Sequence, residues 1–234
     1  IWSNWSSGFQ FSTIQPGNVL NSFSTPGSDP WGVAVDPNGN LISADQSTNT
    51  IYVHDGISSN ISSSFSSPGG TPRGLTVDSN GNLISVDGST NPGTIYIHDG
   101  ISATTTNSFS SPGNVPTGLA IDSNGNLISS DAITYQSTIY VHDGISATIT
   151  NSFSALSSGF IGITIDPNGN LISVDNGTNP RTIYIHDGIS STTTNSFSSP
   201  DINPFVLAID PNGDLIVVDF DSNNSNWKFF IVSL

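Results

Sequence analysis

Four histidines, His54, His98, His142 and His186, occupy one repeated position, each in the run His-Asp-Gly. Imidazole is the commonest protein metal ligand and carries a proton near neutral pH, so four of them on a fixed period raise two chemistries: metal binding and acid–base catalysis. Two aspartate sets share the period. Asp36, Asp78, Asp122, Asp166 and Asp210 open Asp-x-Asn-Gly turns, and Asp45, Asp87, Asp131, Asp175 and Asp219 follow nine residues later. Carboxylates in Gly-containing loops suggest calcium, but an EF-hand loop carries its Gly at the sixth position and these carry it at the fourth, so this set is expected to make Asx turns that hold the hairpin. The second set, one per repeat, would form a ring of negative charge attractive to cations; the alternative is a turn-capping residue copied five times. The histidines, spread over different repeats, are expected to pack between repeats and bond a neighbouring hydroxyl or Asp.

The elements that must position these residues are legible from the period. The turns recur at steps of 42, 44, 44 and 44 residues. Each lies between two alternating apolar stretches, the pattern of a β-hairpin, and Asn-Gly between such stretches predicts a type I′ turn with φ > 0 at both central positions. One repeat reads as four short strands: 118–121, 126–129, 138–142 and 150–154. A strand-only repeat of 40–50 residues is the sequence pattern of a β-propeller blade. The fifth repeat lacks its outer strand, with 207–210, 215–219 and 227–231 as its first three. A lone strand over 19–24 precedes the first repeat. Pairing the two closes a ring without exposed seams. The expected fold is therefore all-β, a five-bladed propeller over residues 19–234, preceded by an arm over 1–18.

That arm carries Trp2, Trp5, Phe9 and Phe11. It is expected either to fold against its own ring or to join a neighbouring copy by strand addition. The residue opening each repeat varies (Trp31, Arg73, Thr117, Ile161, Phe205), as do the loops 46–49, 88–93, 132–137, 176–181 and 220–226, while the opposite turns are nearly copied. A constant scaffold with a varied ring is what an asymmetric binding surface requires; drift at unconstrained positions is the alternative.

Composition narrows the function classes. The 234 residues contain no Glu, Cys or Met, 3 basic residues and a formal charge of −15. Phosphate backbones and anionic membranes would be repelled, so neither nucleic acid nor membrane insertion is expected. The Ser/Thr/Asn-rich, weakly cationic character and the start at Ile1 lead us to expect a secreted or cell-surface protein, with sequons at Asn4, Asn60, Asn176 and Asn223 as candidate glycosylation sites.

The stretch 32–45, Gly-Val-Ala-Val-Asp-Pro-Asn-Gly-Asn-Leu-Ile-Ser-Ala-Asp, resembles the NHL repeat, and the resemblance extends over roughly residues 30–234. It implies a propeller. NHL repeats usually carry a basic residue before the third strand, where this chain has Thr50, Thr94, Thr138 and Thr182, and their propellers are commonly six-bladed. Related lactonase-type propellers use Glu among their metal ligands, and this chain has none. With no nucleophile elbow, Cys nucleophile or phosphate loop either, no catalysis and no cofactor are expected, calcium being the one candidate. The function expected is a structural protein that assembles with copies of itself into a filament, sheath or layer. The alternative is a multivalent glycan-binding module using Tyr52, Tyr96, Tyr140 and Tyr184; a calcium-stabilised adhesion domain is a third.

Overall fold

The computed structural model describes residues 16–132, 137–156, 159, 162–177 and 180–234. Within them the chain forms twenty strands in five antiparallel sheets of four. The third blade is representative: β10 (Pro116–Ile121), β11 (Leu127–Asp131), β12 (Thr138–His142) and β13 (Ile149–Ser154). The innermost strands are β2 (Pro30–Val35), β6 (Pro72–Val77), β10, β14 (Ile163–Ile165) and β18 (Val206–Ile209), and each lies beside the next around the ring, β18 returning to β2. The outermost strands are β1 (Val19–Ser24), β5 (Ile61–Ser66), β9 (Thr105–Ser110), β13 and β17 (Thr193–Ser198).

The closure expected from the unmatched end strands is present. β1 pairs with β20 (Asn226–Val232), which pairs with β19 (Leu215–Asp221) and through it with β18. The ring is thus completed by residues about as far apart in sequence as the fold allows.

The core lies between blades. Each of five buried clusters draws side chains from two adjacent sheets; Val33 and Leu41 of the first blade pack with Val206, Ile216, Val218 and Phe229 of the fifth. A single short blade has too little apolar surface to stand alone, so each sheet supplies half of its neighbour's core. At the axis the inner strands meet so closely that Gly74 has no room for a Cβ: it would sit 2.8 Å from the Leu119 nitrogen and 2.9 Å from the Gly118 carbonyl carbon. The remaining axial space is about 150 Å³, lined by Val33, Leu75, Leu119 and Ile165 among others.

The hairpin turns differ from the type I′ expectation. Gly39 takes φ +84°, but Asn38 is not among the residues with positive φ. The Gly39 N–H donates to the Asp36 carbonyl at 2.9 Å, and the Asp36 N–H donates to the Asn40 carbonyl at 2.9 Å. This is a type I turn followed by one left-handed Gly. The cause is the Asp36 carboxylate: its Oδ1 accepts from the N–H groups of Asn38 (2.9 Å) and Asn40 (2.7 Å). That Asx turn holds Asn38 in ordinary backbone space.

Candidate functional site

The repeated His side chains come to rest inside the sheets. His54, His98, His142 and His186 are 0–1% exposed. In the first blade the Nδ1 of His54 faces the Ser58 carbonyl at 2.7 Å and its Nε2 faces the Ser43 hydroxyl at 2.9 Å. A carbonyl can only accept, so Nδ1 carries the hydrogen and Nε2 accepts from Ser43. The same pair recurs as Ser85–His98, Ser129–His142 and Ser173–His186, each at 2.8 Å. A serine hydroxyl donating to an imidazole is the arrangement that activates a nucleophile, but these hydroxyls are at most 5% exposed and no substrate reaches them. Each pair ties the second strand of a blade to the third. The imidazole also packs against a Phe of the preceding outer strand, as Phe65 does with His98 at 6.1 Å and Phe109 with His142 at 6.0 Å. Burial pushes all four imidazoles below their usual pKa.

In the fifth blade the strand register places Val217 at the serine position and Val232 at the histidine position. Both members of the pair are exchanged together. Replacing one alone would strand a buried polar atom, whereas replacing both removes the need for a partner.

The aspartates at the ends of the second strands are buried, with exposures of 0–2%. Asp45 accepts from the Asp29 N–H at 2.7 Å, the Ser47 hydroxyl at 2.6 Å and both the N–H and hydroxyl of Thr48 at 2.9 Å. Burial raises its pKa, and these donors more than offset that, so the carboxyl ends below its usual value. Asp87, Asp131 and Asp219 accept in the same way from Thr71, Val115 and Asn203, each at 2.7 Å. Burial wins at Asp131 and Asp219, whose carboxyls are pushed up. These side chains hold the loop entering their own blade. Among the described residues no three His or Asp side chains converge as a metal-binding group.

The varied ring is where the structure brings distant residues together. Arg73 lies over the Trp31 ring, 5.2 Å from its centre. Trp31 meets Phe205 edge-on at 4.7 Å, Phe205 meets Trp227 at 5.3 Å, and Trp227 meets Phe220 at 5.4 Å. Arg73 is held by the Pro116 carbonyl at 3.1 Å. Burial depresses its pKa, against the pull of Asp87 and Asp131. Thr117 does not join the ladder; it is 3% exposed and bonds the Ser130 hydroxyl at 2.9 Å. Ile161 and the arm residues Trp2, Trp5, Phe9 and Phe11 lie outside the described residues, as does Asn4. Of the other sequons, Asn60 and Asn223 are exposed and Asn176 is half-buried.

Sequence reasoning singled out Trp31, Arg73 and Phe205 but missed Trp227 as their partner. The signal available was that the fifth repeat carries Phe220 and Trp227 where the others have Gln46, Gly88, Ala132 or Asn176, and Asn49, Gly93, Ser137 or Arg181. Beside this ladder a cleft of about 280 Å³ is lined by Ser24, Thr25, Gly27, Ser28, Phe220, Ser225, Asn226 and Trp227.

These features define a five-bladed β-propeller closed by its N-terminal strand. No protein-family model and no curated protein matches the sequence. Solved structures share the fold. Glutaminyl cyclase from Myxococcus xanthus superposes with a TM-score of 0.68 at 13% identity, covering 92% of this chain and 94% of its own. A luciferin-regenerating enzyme gives 0.59 at 15% identity, covering 92% and 95%. Regucalcin from Agrobacterium tumefaciens, described as a calcium-binding protein, gives 0.59 at 12% identity, covering 93% and 94%. At these identities the likeness concerns the fold alone. It also corrects one expectation. The residue inventory spoke against catalysis, yet this fold carries a cyclase and a luciferin-regenerating enzyme, so the exclusion of enzymatic activity is withdrawn. Missing Glu ligands bear on one kind of metal site, and a fold hosts many chemistries.

Proposed function

We propose that the protein is an extracellular structural subunit whose copies join laterally into a filament, sheath or layer. The observation that carries this reading is the state of the five outer strands. Each lies at a sheet edge with one row of backbone groups that no strand pairs, although the N–H groups of Ser22, Ser108, Ser152 and Ser196 donate to the preceding Asn Oδ1 at 2.8–2.9 Å. Their sequences (VLNSFS, ISSSFS, TTNSFS, ITNSFS, TTNSFS) contain no charge and no proline. Soluble proteins usually guard such edges with Lys, Pro or a covering loop. Here the guards are slight: a bulge at the His end, and the short Asn side-chain bond to one edge N–H. Val19, Leu20, Ile61 and Ile149, four of the six large hydrophobic side chains exposed among the described residues, also lie on these edges.

Charge placement favours side-by-side joining. Asp55, Asp99, Asp143 and Asp187 are exposed at the turns between third and fourth strands, on one face of the ring. Like charges there oppose face-to-face stacking, while the uncharged rims carry no such penalty. The arm with Trp2, Trp5, Phe9 and Phe11 is a second joining element in this proposal.

The test is the mass and shape of the full-length protein by sedimentation and negative-stain imaging. Large regular assemblies are expected for the wild type. A variant carrying S22K, S64K, S108K, S152K and S196K, all exposed outer-strand positions, should sediment as a monomer. A wild type that remains monomeric at high concentration refutes assembly. Assemblies that persist in the lysine variant refute the edge as the joining surface.

A further inference from the structure

The cleft beside the aromatic ladder differs in kind from the rest of the surface. We propose that it is a binding site for a neutral saccharide, one per chain, built at the seam where the ring closes. Three observations carry this.

The first is the lining. Trp227 and Phe220 supply apolar ring surface, and Ser24, Thr25, Ser28 and Ser225 supply hydroxyls around it. A pyranose ring has the matching character, with C–H groups that lie on an aromatic face and hydroxyls at its rim, and ligand sites generally pair apolar walls with a few placed polar groups. The cleft's volume, about 280 Å³, accommodates one or two sugar rings.

The second is charge. In a chain of formal charge −15, none of the eight lining residues is charged. Of the ions around it, Lys228 and Asp221 neutralise each other at 2.6 Å, while Asp45, packed against Gly27, and Asp29 already accept hydrogen bonds from Asp29, Ser47 and Thr48 and from Trp31, respectively. With no charged side chain in its lining and the neighbouring carboxylates already bonded, the cleft favours an uncharged ligand rich in hydroxyls.

The third is an unspent acceptor on a rigid frame. The Oδ1 of Asn226 is buried and has no hydrogen-bond partner, while its Nδ2 donates to the Ser24 hydroxyl at 3.2 Å. A small rotation of the Asn226 amide, held only by its 3.2 Å bond to Ser24, would turn that oxygen to a ligand hydroxyl in the cleft, and a buried acceptor left unmet is costly. Phe205 and Phe220 each meet Trp227 in a T-shaped contact, at interplanar angles of 86° and 75°, so the indole is fixed before any ligand arrives. Pre-organisation of this kind limits the ordering cost of binding.

The site is single because its aromatic pair is. At the positions of Phe220 and Trp227 the first four blades carry polar or small residues, apart from the cationic Arg181. This separates the proposal from a repeated lectin with equivalent sites between blades.

A polysaccharide and the glycan chain of a glycoprotein share this chemistry, so the probe set contains both. Free cello-, malto-, xylo- and chito-oligosaccharides are titrated calorimetrically, and a glycan array presents neutral N-linked chains. Saturable binding at one site per chain is expected, whatever the assembly state. Trp227→Leu keeps an apolar side chain against Phe205 and removes the stacking face; affinity should fall tenfold or more. Asn226→Leu removes that acceptor together with the bond to Ser24 and should lower affinity about fivefold when measured well below the variant's own melting temperature. No saturable binding by any member of the set overturns the proposal. So does a stoichiometry of four or five equivalent sites, or one-site binding that Asn226→Leu leaves unchanged.

Discussion

Ser85 and His98 offer the sharpest test of how the blades are held. Their hydrogen bond, 2.8 Å long, joins two side chains that are each at most 1% exposed. Ser85→Val removes the donor and leaves the imidazole Nε2 buried without a partner, which costs about 1–3 kcal/mol. His98→Val leaves both the Ser85 hydroxyl and the Ser102 carbonyl, now 2.6 Å from Nδ1, without their partner, at a similar or larger cost. The double variant recreates the Val217/Val232 solution of the fifth blade. It should therefore recover about 1–2 kcal/mol relative to the sum of the single changes. For a chain of this size each kcal/mol corresponds to roughly 2–4 °C in Tm. Reversible urea unfolding of the four proteins measures the coupling. Single effects that simply add, within about 0.3 kcal/mol, would refute the idea that the pair is retained or lost as a unit.

Four further outcomes follow from the same geometry. The buried imidazoles are neutral in the folded state and have depressed pKa values, so their contribution is intact above the unfolded value of about 6.5 and is lost as pH falls below it, by up to about 1.4 kcal/mol per pH unit for each His; unfolding measured from pH 7.5 to 5 should show this slope, shallower by one histidine in the Ser85→Val/His98→Val protein. Gly74→Ala drives a Cβ into the β10 backbone and should cost about 1–3 kcal/mol by urea unfolding. Gly81→Ala has open space around it and should cost about 1–2 kcal/mol, through its φ of +83° alone. Arg73→Met removes the cation beside Asp131 and should push that carboxyl further above its usual pKa, visible in a carboxyl NMR titration.

Much of the architecture was legible because the fold repeats. The expected strand 138–142 coincides with β12 and 19–24 with β1, and the missing outer strand of the last repeat announced the closure. The Asx turns expected of Asp36 and its counterparts are present, but the turn type was misread because their hold on the Asn38 backbone was not carried through to the Asn-Gly pair. The ladder escaped for a different reason. Phe205 and Trp227 share the fifth blade, whereas Trp31 is remote from both in sequence and reaches them only through ring closure. The second aspartate set could be placed on its strands from the period, but its donors come from loops such as 68–71 and 112–115 whose path no local pattern fixes. Pro68-Gly69 and Pro112-Gly113 were a usable hint, since Asp87 and Asp131 occupy the space a Cβ would take on those glycines.

The strand that completes the fifth blade also sets a timetable. Ser24 and Asn226, bonded across the seam, are 202 residues apart. At about 5–20 residues per second of synthesis, the first strand emerges some 10–40 s before its partner exists. During that interval four blades can stack in order, each on the one before, while VLNSFS waits with its apolar Val19 and Leu20 uncovered. The outer strands of other copies share its Ser-Phe-Ser ending. A crowded polysome thus gives every nascent last blade a choice between its own first strand and a stranger's. The rate of chain growth, rather than the stability of the finished ring, decides how often that choice arises.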